Sequence, residues 1–217
     1  MPAGRLFLGN RRYSSWSLRG WLAVRLAGLE VEEVVIPMSE GTTPAIKAAM
    51  PAGLVPVLEH GGVRIWDSLA IGEYCAELAP ALWPAERAAR ALARCVSAEM
   101  HSGFRELRIA MPMNLGRTFP GRGRTPGALA DIARIEALWA ECRAAHGGPF
   151  LFGAAFTLAD AFYAPVVTRF LTWQPELSPA SQDYMAAVRA HPLVAAWYDA
   201  AAREPDAWLL GKYENPA

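Results

Sequence analysis

The sequence predicts an α/β unit followed by an all-α unit, and three observations carry that reading. Before residue 80, short apolar runs alternate with helical patterns in the order βαβ, a short helix, then ββα, which implies a mixed sheet. From Ala85 onward no run reads as a strand, and alanine-rich segments with three- and four-residue apolar spacing take over. Between them "ELAPALWPAE" carries two prolines and reads as a linker. The predicted boundaries are 1–80 for the first unit, 81–86 for the linker and 87–217 for the second.

Each element has its own signal. "GRLFLGN" is an apolar run flanked by glycines, as a strand often is. "SLRGWLAVRLAGL" has helical spacing at Leu18, Leu22 and Leu29, with Gly28 near its end, and "EEVVIPM" is a second strand. A loop with Gly, Thr and Pro leads to a short helix over Pro44 to Met50. Then "GLVPVLEHGGVRIWDSLAIGEYCAEL" gives a strand opening at Pro56, a Gly-Gly turn, a second strand, and a helix from Ser68 to Leu78. In the second unit, helices are predicted over Glu86–Met111, Gly127–His146, Thr157–Leu171, Ser181–Ala190 and Leu193–Arg203. "PGRGRTPG", at 120 to 127, reads as a mobile loop.

Composition narrows the function. Of 217 residues, 53% are hydrophobic, enough for a sizeable core. Twenty-one basic residues balance 21 acidic ones, so no net field favours nucleic acid or an anionic membrane surface, and a small-molecule partner is expected. No run approaches the apolar length of a membrane span, and "MPAGRLFLGNRRYSS" lacks the apolar block of a secretory signal, so a cytoplasmic location is expected. Cys75, Cys95 and Cys142 are far apart and form no C-x-x-C pair, which argues against a disulfide framework, a zinc site or a dithiol centre; all three read as buried thiols.

Three patterns in order, "YSSWSLR", "LVPVL" and "WDSLAIGEYCAEL", with "FTLADAFYAPV" later, make nearly the whole chain resemble the cytosolic glutathione transferase superfamily. The Ser-rich turn is similar to that of the zeta class, and "LVPVL" to the superfamily element whose proline is cis. The resemblance implies a thioredoxin-like first domain, glutathione as cosubstrate, a homodimer, and conjugation of the glutathione thiol to a small electrophile. Its motifs place Ser14 and Ser15 at the thiol and Leu54, Val55, Pro56, Asp67 and Ser68 at the peptide. No metal or bound redox cofactor is implied. Trp16 stands where the zeta pattern has cysteine, which puts an isomerase activity dependent on that thiol in doubt.

The residues support these roles physically. Proline lacks a backbone N–H, and a cis bond before Pro56 turns the N–H and C=O of Val55 outward, where an extended peptide can pair as an added strand. At the next helix start, unpaired N–H groups and the Ser68 hydroxyl suit a carboxylate, while Asp67 suits an ammonium group; simple capping by either residue is the competing reading. Ser14 and Ser15 precede another helix, whose N-terminus favours a thiolate. Bringing a thiol from about 8.5 to about 6.5 takes roughly 2.7 kcal/mol, within reach of one charge-assisted hydrogen bond plus the helix dipole. The resemblance to the zeta turn makes Ser14 the preferred donor with Ser15 bracing the turn, and makes Tyr13 a rival because tyrosine plays this part in other classes; N-capping alone is the bland alternative.

The second substrate is expected where the first long helix after the linker faces the α/β unit. Tyr13, Phe104, Arg108, Met111, Met113 and Asn114 are the candidates there, methionine offering an adaptable apolar wall. Arg94, Ser97, His101, Arg105 and Arg108 recur at helical spacing and read first as a solvated face or a dimer contact. Thr157 and Asp160 form a capping box, a folding device. Glutathione-dependent isomerisation, and a binding protein without turnover, stand as alternatives to conjugation.

Overall fold

The computed structural model describes residues 3–38, 43–50 and 52–216. The first domain contains β1 (Gly4–Leu8), α1 (Ser15–Leu26), β2 (Glu32–Val35), α2 (Pro44–Ala49), β3 (Val57–His60), β4 (Val63–Ile65) and α3 (Ser68–Leu78). This is the predicted order, although most of the loop expected before α2 lies outside the described residues. The sheet runs β2-β1-β3-β4. β1 pairs β2 in parallel, with Phe7 opposite Val34, and β3 antiparallel, with Leu6 opposite Leu58. β4 continues antiparallel to β3 through the Gly61-Gly62 turn, where φ is +58° and +80°. Those values explain two consecutive glycines.

A 3-10 turn, Pro80–Leu82, opens the linker, and the helical domain follows as α4 (Arg87–Ser102), α5 (Arg105–Ala110), α6 (Pro126–His146), α7 (Leu158–Trp173), α8 (Pro179–Ala190), α9 (Pro192–Ala202) and α10 (Gly211–Glu214). The helix predicted over Glu86–Met111 is two helices. Phe104 adopts φ +55° between them, and a side chain at Gly103 would fall 2.7 Å from the Glu99 carbonyl. This break lets α5 turn back toward the first domain. No described helix is long and apolar enough to cross a membrane.

α7 is the axle of the molecule, packing against α1 and α4 and buried along most of its length. Its start is fixed by Asp160, whose carboxylate accepts from the Thr157 N–H (2.9 Å) and hydroxyl (3.0 Å), the Leu151 N–H (3.0 Å) and the Tyr184 hydroxyl (3.2 Å). The capping box thus also ties a loop and α8 to α7. Cys75 and Cys142 are buried, their thiols pushed up to about 12 and about 11 by burial, whereas Cys95 is exposed, contrary to expectation.

Candidate active site

Two recesses meet at Trp16. The smaller is a cleft of about 250 Å³ lined by Trp16, Leu54, Val55, Pro56, Trp66, Asp67 and Ser68. All five residues expected at the peptide are therefore brought together. The Val55–Pro56 bond is cis, and among the described residues no backbone hydrogen bond engages Val55. Behind the proline, α1 comes so close that a side chain at Gly20 would meet the Pro56 ring at 2.7 Å. Glycine at that position is what seats the proline against the helix.

At the α3 N-terminus Asp67 uses its two carboxylate oxygens differently. Oδ1 caps the helix, accepting from the Leu69 N–H (3.0 Å) and the Ala70 N–H (3.4 Å). Oδ2 pairs with His101 Nε2 at 2.9 Å while the side chain remains half exposed. Ser68 is buried, and its hydroxyl has no partner among the described residues. A buried hydroxyl at a helix N-terminus without a partner is costly on its own and suits an incoming carboxylate.

The larger recess, about 830 Å³, lies on the other side of Trp16 between the two domains. Ser14 and Ser15 form its floor at the start of α1, and Arg108, Arg124, Arg169 and Lys212 put four cationic side chains on its walls. None of its described lining residues is acidic. Ser14 caps α1: its Oγ donates to Ser17 Oγ (2.8 Å) and accepts from the Ser17 N–H (3.3 Å). Ser15 Oγ accepts from Arg169 Nη2 at 3.3 Å.

Arg124 pairs with Glu176 at 3.2 Å, whereas Arg19, Arg108 and Arg169 form no ion pair among the described residues. Arg169 donates to the Met111 carbonyl at 2.5 Å, Arg19 to the Phe162 carbonyl at 3.0 Å, and Arg108 to the carbonyls of Gly103 and Met100. The guanidinium carbons of Arg19 and Arg108 lie over the Trp16 ring, 4.8 and 4.9 Å from its centre. Burial and mutual repulsion push Arg169 down to about 9 and Arg19 well below its ordinary value. Positive charge held in a desolvated place without a counter-ion favours an anionic ligand.

The other expected residues divide. Arg108 and Met113 line the cavity. Tyr13 also lines it, but its hydroxyl donates to Glu214 Oε1 (2.7 Å) and accepts from the Leu210 N–H (3.2 Å); burial and Glu214 raise its pKa further. Both bonds tie it to the C-terminal segment. Phe104 and Met111 belong to the core and are not among the lining residues, and Asn114 ties the Tyr213 carbonyl (2.8 Å) and Glu214 (2.9 Å) in place. The stripe on α4 and α5 is also not simply a solvated face: Ser97, His101 and Arg108 turn inward. "PGRGRTPG" supplies Gly123, Arg124 and Thr125 to the wall, with Gly123 tight against the Ala110 carbonyl. Sequence reasoning missed Arg169 and the wall from Lys212 to Pro216. A lone arginine in the apolar run "YAPVVTRFLTW" was the one available signal for the former. Among the described residues no cluster of three or more His, Cys, Asp or Glu could hold a metal.

Comparison with known proteins now decides the family. Residues 13–78 match "Glutathione S-transferase, N-terminal domain" and residues 115–200 match "Glutathione S-transferase, C-terminal domain". A maleylpyruvate isomerase from Ralstonia sp is 30% identical, covering 90% of this chain and 93% of that protein. The chain belongs to the glutathione S-transferase family. A zeta-class glutathione S-transferase from Euphorbia esula is likewise 30% identical, over 72% of this chain and 74% of its own. Among solved structures, a theta-class glutathione S-transferase from Xanthomonas axonopodis pv. citri with glutathione bound is 27% identical, with a TM-score of 0.65 over 94% of this chain and 99% of that one. In this family member the N-terminal match covers both serines and the whole peptide cleft, whereas Arg108, Lys212 and Tyr213 lie outside the two matched segments.

Proposed function

We propose that the protein binds glutathione in the Leu54–Ser68 cleft, ionises its thiol at Ser14 and Ser15, and joins the sulfur to a small anionic electrophile held in the larger cavity. The observation that carries this reading is the cation-lined, acid-free recess opening directly onto the α1 N-terminus. Val55 offers main-chain pairing to the peptide, and the unpartnered Ser68 hydroxyl at the α3 N-terminus receives its α-carboxylate. Ser14 turns its hydroxyl from Ser17 to the sulfur, while Arg169, anchored on Ser15, adds positive potential beside the thiolate. Arg108 and Arg169 then hold the anionic group of the electrophile by charge-assisted hydrogen bonds.

The thiolate absorbance of bound glutathione, followed against pH, tests the donor. Ser14→Ala moves the titration midpoint toward that of a free thiol, near 8.5; Ser15→Ala moves it less, and Tyr13→Phe leaves it unchanged. A midpoint in Ser14→Ala equal to the wild type removes Ser14 from this role. A second reading, glutathione-dependent isomerisation, is favoured by relatives such as the Ralstonia maleylpyruvate isomerase, and an anion-binding cavity suits it equally. Stoichiometry separates the two: turnover of a cis-alkene diacid consumes glutathione in conjugation and leaves its concentration constant in isomerisation.

A further inference from the structure

The sequence motif puts Asp67 at the ammonium group of the glutathione proposed for this cleft, which leaves unexplained why a histidine from the other domain already sits on that carboxylate. His101 reaches Asp67 Oδ2 through Nε2 at 2.9 Å, while its Nδ1 is buried without a partner among the described residues. In the neutral ring Nε2–H donates to the carboxylate and Nδ1 carries a lone pair, so Asp67 keeps its full negative charge. Protonation would put a second N–H in a buried spot with no acceptor.

The surroundings of His101 oppose that proton from nearly every side. α1 contributes the Arg19 guanidinium and the Trp16 ring, 5.1 Å from the imidazole centre; α5 contributes Arg108; α7 contributes the Phe162 ring at 6.2 Å. Among the described residues Asp67, at the start of α3, is the acidic group that faces it. Burial, reinforced by the two guanidinium groups against the pull of Asp67, lowers the His101 pKa from its ordinary value.

We propose that His101 is a positioning residue for glutathione: the neutral imidazole orients the Asp67 carboxylate toward the peptide's ammonium group, and a proton on His101 neutralises that carboxylate and weakens binding. The helical domain thereby sets the pH range over which the peptide cleft works. The sign follows from the pair. Above the histidine range Asp67 is uncompensated and attracts the ammonium; in acid, imidazolium occupies the same charge and the ammonium must compete with it. Binding therefore expels the proton from whatever fraction of His101 carries one.

This inference rests on glutathione occupying the cleft, and S-methylglutathione is the probe because it has no thiol to titrate. Calorimetric titrations from pH 8 into acid below the ordinary histidine range are expected to show wild-type affinity falling severalfold, at most about tenfold, the value of one charge-assisted contact. His101→Gln, which can donate an N–H to Asp67 but cannot ionise, keeps the affinity of pH 8 within about threefold and flattens the profile. A desamino analogue of the probe shows no acid loss on the wild type. Should His101→Gln not fold, wild-type titrations near pH 5.5 in two buffers of different ionisation enthalpy still test the idea, because proton release must accompany binding there and vanish at pH 8. An unchanged acid loss in His101→Gln, an equal loss with the desamino analogue, or binding without proton release would each overturn the proposal. No binding of S-methylglutathione at any pH would instead overturn the glutathione reading on which it stands.

Discussion

The cleft and the cavity on either side of Trp16 are assembled in opposite ways. Apart from Trp16, the cleft takes all its walls from residues 54–68, a strand end, a hairpin and a helix start that are neighbours in the chain. The cavity collects its walls from separate segments at 13–16, 38, 108–110, 112–113, 123–125, 169, 212–213 and 216. Their chemistry differs accordingly. The cleft offers main-chain groups, one hydroxyl and one carboxylate; the cavity offers guanidinium and ammonium groups with no described acid among them. Backbone recognition suits a ligand common to a whole family, whereas scattered side chains can change one at a time and so set the choice of second substrate.

Three variants break or sharpen this contrast. Asp160→Ala abolishes it by removing the shared support: four donors lose their buried acceptor, at a cost of about 3 kcal/mol or more, and Tm by thermal denaturation falls by roughly 10 °C with both recesses impaired together. Arg169→Met acts on the cavity alone. It keeps the side-chain length in α7 but removes the charge beside Ser15; kcat/KM for an anionic electrophile falls about 30-fold, the loss of roughly 2 kcal/mol from a charge-assisted contact, while affinity for S-methylglutathione, which has no thiol to ionise, is preserved in calorimetry. Ser68→Ala is the converse and the smallest: glutathione binds about tenfold more weakly and KM for the electrophile stays the same in steady-state kinetics. If Arg169→Met and Ser68→Ala shift both substrates alike, the two recesses are one site.

How much of this was readable in advance depends on chain distance. The order of strands and helices and the grouping of Asp67 with Ser68 arise within short windows and were visible there, whereas the cis bond at Val55–Pro56 was expected only because "LVPVL" resembles a family element. Failures came where a residue's surroundings lie far along the chain. Tyr13 reads as a possible donor until Glu214, 201 residues away, takes its hydroxyl. Asn114 looks like a cavity residue until the carbonyl of Tyr213 claims its amide. On α4, the spacing of Ser97 and His101 is equally compatible with a wet face and an interdomain face, because periodicity gives a helix its faces but not their neighbours.

By itself the sequence determined the fold class, the family and the grouping of Leu54, Val55 and Pro56 with Asp67 and Ser68, since strand alternation, helix caps and the proline turn are encoded by adjacent residues and satisfied by their own backbone. The electrostatics of the boundary were decided only by tertiary structure. Equal numbers of acidic and basic residues gave no hint that Arg19, Arg108 and Arg169 would meet around Trp16 and Ser15 without an acidic partner among the described residues, or that His101 would lean on Asp67 from the other domain. Charge acts through space and burial, and neither is set until the helices close against the sheet.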